Sequence, residues 1–293
     1  MPRDHSNNSP MLRRRTLIAA GCAAWPGVTR AQPRRALADP MRLGVDHALF
    51  DSGLAPALQR GFGHDTGLAV KLVPGAAQAL LQALERGELD AALTNAPHLE
   101  SQFEAQGFVH ERALVAESEF ILVGPVLPAP VGKAKVKAKV KPKPRDPAGL
   151  VGAESPAQAL RRLLDAVAAD ASLRFLSAND GSGTHLAEQA LWRLAKLAPV
   201  APWYQHADGS ARLLAQAREL GAYTLVERGV WARLGGAPLM VVAQGGDELR
   251  VPVHVMRGFR ANHPAAKLCS KWISGARGRS IVAAQRGYRI GSA

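Results

Sequence analysis

Cysteine is scarce in this sequence, because the 293 residues include only Cys22 and Cys269. Cys22 falls in a segment that we expect to be removed, so the mature chain would hold one cysteine and no internal disulfide. A lone cysteine is typically a buried, inert side chain, and we expect that of Cys269. A membrane anchor is not expected either, because the apolar stretch Leu17–Trp25 is far shorter than the roughly 20 residues of a spanning helix.

The net charge of +13 comes mainly from two short segments of the chain. Five arginines fall within residues 1–31 and seven basic residues within 133–145, so the remainder is close to neutral. The run 133–145 also lacks aromatic side chains that could stack on bases. We therefore expect a nearly neutral folded body and no nucleic-acid partner.

Residues 1–31 have the pattern of a signal peptide. The pair Arg14-Arg15 precedes a short apolar stretch, and a small-residue cleavage pattern ends at Ala31. The order Arg-Arg-x-Leu-Ile is similar to a twin-arginine signal, with general secretion as an open alternative. A lipoprotein signal ending at Cys22 is less favoured. The sequence thus predicts export to the periplasm.

Strands alternate with helices along most of the chain. Apolar or β-rich runs such as Met41–His47 and Leu68–Val73 are followed by segments with helical spacing, such as Gly75–Gly87. Alternation of this kind implies a parallel sheet with helices on its faces, and so an α/β protein.

The segment 126–145 interrupts this alternation. Lysine alternates there with alanine or valine between flanking prolines. Such a composition cannot bury a core, so we predict a disordered, solvated insertion.

Two polar turns, Asp46–Gly53 and Asn179–His185, each join a predicted strand to a predicted helix. The start of a helix presents free N–H groups and the positive end of its dipole, which can hold an anion. Either turn alone is more typical of an ordinary capped helix than of an anion site. Two such turns that face each other would form a clamp for a small ligand.

Several motifs resemble those of the tungstate-binding proteins of ABC uptake systems. They follow in one order over about residues 42–290, and the Gly-Ala-Tyr-Thr-Leu block is the most specific of them. The motifs are Asp51-Ser52-Gly53-Leu54, Gly-Ser-Gly-Thr-His at 181–185, Pro202-Trp203-Tyr204, Gly221-Ala222-Tyr223-Thr224-Leu225 and Glu227-Arg228-Gly229.

The resemblance implies a two-lobed type II periplasmic binding protein fold, an α/β fold with mixed sheets flanked by helices and two crossing hinge segments. Lobe one would comprise residues 40–125 and 246–293, and lobe two residues 146–245. Phe120–Pro125 is similar to the first crossing, and Gly245–Pro252 lies near the return.

Three positions depart from the family pattern. Val45-Asp46-His47-Ala48 stands where relatives usually have Thr-Thr-Thr-Ser, Ala178 stands where they have an arginine, and Asp208-Gly209-Ser210 replaces Gln-Gly-Met. In the family, the hydroxyls and the arginine help to hold the oxyanion. We therefore expect weakened dianion binding and a pocket suited to a neutral or cationic solute.

The predicted ligand site combines both polar turns with neighbouring walls. Its residues are Asp46, His47, Ser52, Asn95, Ser182, Gly183, Thr184, Asp208 and Ser210. No catalytic residue is predicted, because Ser182 and His185 fall on one helical turn in a capping arrangement rather than in a nucleophile–base geometry. A metal held by Asp46, His47 and Asp208 is a less favoured alternative, and no cofactor is expected.

These features predict a monomeric, non-enzymatic solute-binding protein. It would capture a small solute between two lobes and deliver it to the permease of an ABC transporter. The alternative is a ligand sensor or a degenerate binding scaffold that engages a protein partner.

Overall fold

The structure, a computed structural model, describes residues 35–127 and 145–291. The predicted leader and nearly all of the predicted insertion 126–145 lie outside the described residues. All elements below belong to one compact unit, Arg34–Ala293.

Nine strands are present in the described residues. They are β1 Met41–Asp46, β2 Val70–Gly75, β3 Ala91–Thr94, β4 Val109–Pro125, β5 Phe175–Ser177, β6 Tyr204–His206, β7 Thr224–Glu227, β8 Leu239–Ala243 and β9 Arg250–Gly258.

Ten α-helices accompany these strands in the described part of the chain. They are α1 His47–Asp51, α2 Leu54–Thr66, α3 Ala77–Glu85, α4 Pro97–Ala105, α5 Pro156–Ala169, α6 Gly183–Ala195, α7 Ser210–Leu220, α8 Arg228–Leu234, α9 Ala266–Ser274 and α10 Ala276–Ala283.

The main sheet is mixed, and its strand order is β2-β1-β3-β9-β4-β7, with β8 also paired to β4. β1 runs parallel to β2 and β3, whereas β9, β4, β7 and β8 join through antiparallel ladders. The expectation of a parallel sheet, drawn from alternation alone, is therefore wrong for half of the sheet. The mixed sheet that the family resemblance implied is confirmed.

The long strand β4 connects two regions of the molecule. Up to Glu119 it pairs with β9, and from Phe120 onwards it pairs with β7 and β8. The side chains of Ile121 and Val123 are buried in an apolar cluster that also contains Ala178. A single strand thus fixes the relative position of the elements on either side of it.

Local capping explains where several helices begin and end. Ser182 caps α6, since its Oγ accepts a hydrogen bond from the His185 N–H at 3.2 Å. Ser155 caps α5 in the same way through the Gln158 N–H. Gly67 ends α2 with φ +69°, a left-handed conformation that glycine adopts without strain.

The first polar turn contains a helix of its own, which the sequence analysis did not predict. The segment after β1 forms a short helix, α1, that is capped by Asp46, and α2 then begins after Gly53. The five-residue α1 is too short to show helical periodicity in the sequence.

Candidate functional site

Asp46 joins the starts of two helices that are far apart in the sequence. Its Oδ1 accepts a hydrogen bond from the Ala48 N–H in α1 at 3.1 Å. Its Oδ2 accepts one from the N–H of Gly183, the first residue of α6, at 3.0 Å. The two predicted turns therefore do face each other, and a carboxylate of the protein itself bridges them.

The Asp46 side chain is fully buried. Burial raises the pKa of this carboxyl to about 6, against the opposing effect of the hydrogen bonds from Gly183 and Ala48 and of nearby His47. Asp180 contributes a further small increase in the pKa. At neutral pH the site therefore holds a buried negative charge, which two backbone N–H groups stabilise.

Gly183 sits directly against Asn95, which follows β3. A Cβ at position 183 would collide with Asn95 Oδ1 and lie 2.9 Å from the Asn95 carbonyl oxygen. Asn95 is 1% exposed, and neither Oδ1 nor Nδ2 of its amide has a hydrogen-bond partner in the described part of the protein. A buried amide without partners is costly, so Asn95 is the group of this site that is best placed to gain a polar ligand.

Asp180 was not predicted as a site residue. Its Oδ1 accepts a hydrogen bond from the Ser182 N–H at 3.0 Å, and its Oδ2 accepts one from the N–H of Ser210, the first residue of α7, at 2.6 Å. Partial burial opposes its charge, but the hydrogen bonds from Ser182 and Ser210 outweigh this and lower its pKa. The signal was available in the sequence, because aspartate two residues before a serine often forms such a turn.

Thr184 and Ser210 line a small cavity beside these helix starts, together with Asp51 and Glu227. Its volume is about 20 Å³, close to the space of a single water molecule. A tetrahedral oxyanion carries four oxygen atoms and does not fit. A ligand of that size needs the walls of this cavity to move apart.

The remaining predicted residues do not converge on the carboxylate of Asp46. The Ser52 hydroxyl donates a hydrogen bond to the Leu49 carbonyl oxygen at 3.2 Å and accepts one from the Tyr288 hydroxyl at 2.7 Å. Asp208 is exposed and accepts a hydrogen bond from Gln216 at 2.7 Å. His47 is the half-buried first residue of α1. Within residues 35–127 and 145–291, no group of three His, Cys, Asp or Glu side chains could hold a metal ion.

A second buried carboxyl group, Glu227, borders the same cavity. Ser118 donates a hydrogen bond to it, and its Oε2 lies 2.8 Å from the Tyr288 hydroxyl. Burial raises the pKa of Glu227 to about 7 despite these hydrogen bonds. A protonated Glu227 would satisfy this cluster, since it could donate to Tyr288 while Tyr288 donates to Ser52.

Ala178 takes the position at which the family resemblance expects an arginine. It is 1% exposed and belongs to an apolar cluster with Ala48, Leu176 and Leu214. A guanidinium introduced there would be buried without a carboxylate partner among these apolar neighbours. Position 178 therefore lies in an apolar environment that does not favour a charged side chain.

Comparison with known proteins agrees with this fold. The PBP superfamily domain matches residues 48–254. The tungstate-binding protein TupA of Peptoclostridium acidaminophilum is 28% identical over 273 residues, which cover 91% of this chain and 88% of that protein. A candidate ABC transporter anion-binding protein of Haloferax volcanii is 31% identical over 192 residues, 65% of this chain but only 49% of the relative.

One solved structure is similar to this protein over nearly the whole length of the solved chain. The tungstate ABC transporter structure from Geobacter sulfurreducens aligns with a TM-score of 0.67 and 28% identity, over 84% of this chain and 98% of that chain. The family domain covers more than half of the sequence, and the expected fold is confirmed. The chain belongs to the PBP superfamily and is a relative of the tungstate-binding proteins of ABC transporters.

Proposed function

We propose that this protein is a periplasmic solute-binding protein that delivers a small ligand to an ABC transporter permease, with an oxyanion site altered by Asp46. The names of its relatives support the transport role. The ligand would bind between lobe one, residues 40–125 and 246–293, and lobe two, residues 146–245. The protein would act as an exported monomer without catalytic activity.

The altered specificity is supported by the contact between Asp46 and Gly183. An oxyanion would need the N–H groups at the start of α6, yet the carboxylate of Asp46 already accepts the first of them at 3.0 Å. Asp180 in turn accepts the N–H groups of Ser182 and Ser210. A dianion would therefore have to displace a buried carboxylate and withstand its repulsion.

Binding of tungstate and molybdate should consequently be at least about 100-fold weaker than in relatives, which corresponds to about 2.7 kcal/mol. A neutral polar or cationic solute suits the site better, because Asp46 and Asp180 would attract it and the amide of Asn95 could bind it. Native mass spectrometry of the protein isolated from its own periplasm would identify such a ligand.

Isothermal titration of the mature chain and the Peptoclostridium relative with tungstate, in one buffer, tests the proposal. Nanomolar binding by the unmodified chain would contradict it. Asp46→Thr should strengthen tungstate binding at least tenfold, because it removes the repelling charge and frees the Gly183 N–H. The control is Asp165→Asn, which removes an exposed carboxylate on α5 and should leave the affinity unchanged.

Restoration of the arginine is a poorer test than removal of the carboxylate. Ala178→Arg would place a charge in the apolar cluster around position 178, so lower stability would obscure any gain in affinity. If Asp46→Thr folds normally and still does not bind tungstate, the internal carboxylate is not what weakens oxyanion binding.

A further inference from the structure

A larger cavity lies next to the small one beside Asp46, and Ser52 and Gly229 of its lining directly neighbour Asp51 and Val230 of the small cavity. Its volume is about 500 Å³, within the usual range for small-molecule sites. Its walls come from the start of α2, from α8 and from the segment that follows α10. Three arginines, Arg60, Arg233 and Arg286, line it, and no aspartate or glutamate does.

The three guanidinium groups are available to a ligand. In the part of the chain that the structure describes, the side chains of Arg60 and Arg286 have neither a hydrogen bond nor an ion pair. Arg233 uses one N–H, which donates to the Asp51 carbonyl oxygen at 3.0 Å. A guanidinium has five N–H donors, so most of the hydrogen-bonding capacity of this cluster remains unused.

The wall beneath Arg233 is shaped by glycine. A Cβ at Gly53 would lie 3.2 Å from Arg233 Nη1, and Gly53 has φ +87° at the start of α2. Any side chain at position 53 would be strained and would press on the guanidinium. Gly53 therefore lets Arg233 lie across the cavity wall, where its contact with Asp51 holds it in place.

We propose that this cavity, defined by Arg60, Arg233 and Arg286, binds a small organic or inorganic polyanion at a position distinct from the helix starts that Asp46 bridges. The Asp51 carboxylate lies close enough to Arg233 to interact with its charge, so the three guanidiniums leave an excess of about two positive charges. Planar guanidinium groups pair bidentately with carboxylates and phosphates. The ligand class is thus a tricarboxylate or a di- or triphosphate. The start of α2 adds the positive end of a helix dipole.

The helices α2 and α8 and the segment after α10 all contribute to the cavity, so a bound polyanion would hold them together. Arg60 belongs to α2, Arg233 to α8 and Arg286 to the segment after α10. Occupancy should therefore raise the melting temperature as well as produce a binding isotherm.

Citrate and tripolyphosphate are the probes for this proposal, titrated calorimetrically into the mature chain at low salt. We expect one site with a Kd below about 1 mM that weakens as salt is added. Arg60→Gln and Arg286→Gln should each weaken binding about tenfold or more, which equals about 1.4 kcal/mol. Absence of measurable binding of both probes would overturn the proposal.

The matched control is Arg193→Gln combined with Arg279→Gln, two exposed arginines that do not line the cavity. This variant has the same net charge as Arg60→Gln with Arg286→Gln and should bind like the unmodified chain. Equal weakening in the two double variants would show only nonspecific attraction and overturn the proposal. A lowered melting temperature in Arg286→Gln without loss of affinity would show that Arg286 serves only the end of α10, and would remove it from the site.

The Asp46→Asn variant separates this site from the proposed cleft. Citrate binding that is unchanged in Asp46→Asn but lost in the double variant supports a separate cavity, whatever the cleft binds. Citrate binding that responds to Asp46→Asn and not to Arg60→Gln would place the polyanion in the cleft and overturn the inference.

Discussion

The carboxylate of Asp46 accepts a hydrogen bond from the Gly183 N–H at 3.0 Å, although the two residues are 137 positions apart in the chain. This contact ties the end of β1 to the start of α6. The start of a helix can hold an anion by its dipole and its free N–H groups. In this protein the carboxylate of Asp46 takes that position.

The buried Asp46 should make stability depend on pH. Its pKa is about 6 in the folded protein and near 3.8 in the unfolded chain. The folded state therefore holds the proton more tightly, so this group's contribution to the free energy of unfolding falls as pH rises from about 4 to 6. The difference of about two pKa units corresponds to about 3 kcal/mol.

Urea unfolding of the unmodified chain and of Asp46→Asn at pH 4, 5, 6 and 7 measures this contribution. The contributions of other titrating groups are nearly the same in both proteins and largely cancel in the comparison. The free energy of unfolding of the unmodified chain should therefore fall by about 3 kcal/mol relative to that of the variant between pH 4 and pH 7. If the free energy of unfolding depends on pH in the same way in both proteins, folding does not raise the pKa of Asp46.

Gly183→Ala should destabilise the protein, because the added methyl group would meet both the side chain and the carbonyl oxygen of Asn95. We expect a loss of about 1–3 kcal/mol, as is usual for overpacking. Gly63→Ala is the matched control: Gly63 also lies in a helix, and its Cβ would have only one ordinary contact, at 3.5 Å. That change should stabilise by up to about 1 kcal/mol.

Chemical denaturation of both glycine variants gives the comparison directly. Near-equal stability of Gly183→Ala and the unmodified chain would mean that Asn95 and the start of α6 can separate at little cost.

Glu100 should be essential for the position of the Asn95 turn. Its fully buried carboxylate accepts hydrogen bonds from the Thr94 hydroxyl at 2.7 Å and the Ala96 N–H at 2.9 Å, and it pairs with Arg112 at 3.1 Å. Glu100→Ala should cost about 3–5 kcal/mol, because it removes the buried carboxylate that pairs with Arg112 and leaves the Ala96 N–H without an acceptor.

Glu104→Ala provides the control for Glu100→Ala. Glu104 is 43% exposed and lies 3.7 Å from the same Arg112 guanidinium, so its loss should cost less than about 1 kcal/mol. Similar unfolding midpoints for the two variants would contradict the role assigned to Glu100.

The predicted insertion should be dispensable. The Leu127 N–H donates to the Arg145 carbonyl oxygen at 2.8 Å, so the chain ends that flank residues 128–144 are held together. A short Gly/Ser loop can therefore close this gap at little entropic cost. Replacement of 129–143 by such a loop should change the melting temperature by only a few degrees, and a fall of more than 10 °C would show that the segment stabilises the fold.

Sequence patterns predicted the elements that have strong local signals. The predicted helix at Gly75–Gly87 corresponds to α3. The β-rich runs Met41–His47 and Leu68–Val73 correspond to β1 and β2. The short strands β6, β7 and β8 were not predicted. Three to five residues carry too little periodicity, and pairing partners elsewhere in the chain decide their structure.

The sequence by itself determined the family and the order of many α and β elements, because these depend on local composition and on motif order. It also located both polar turns that meet at the site. The tertiary structure decided which groups these turns bind, since only the folded chain brings Asp46 to Gly183 and Tyr288 to Ser52. Burial and hydrogen bonding between distant residues set the charge and the space of a site, and neither is encoded in a local pattern.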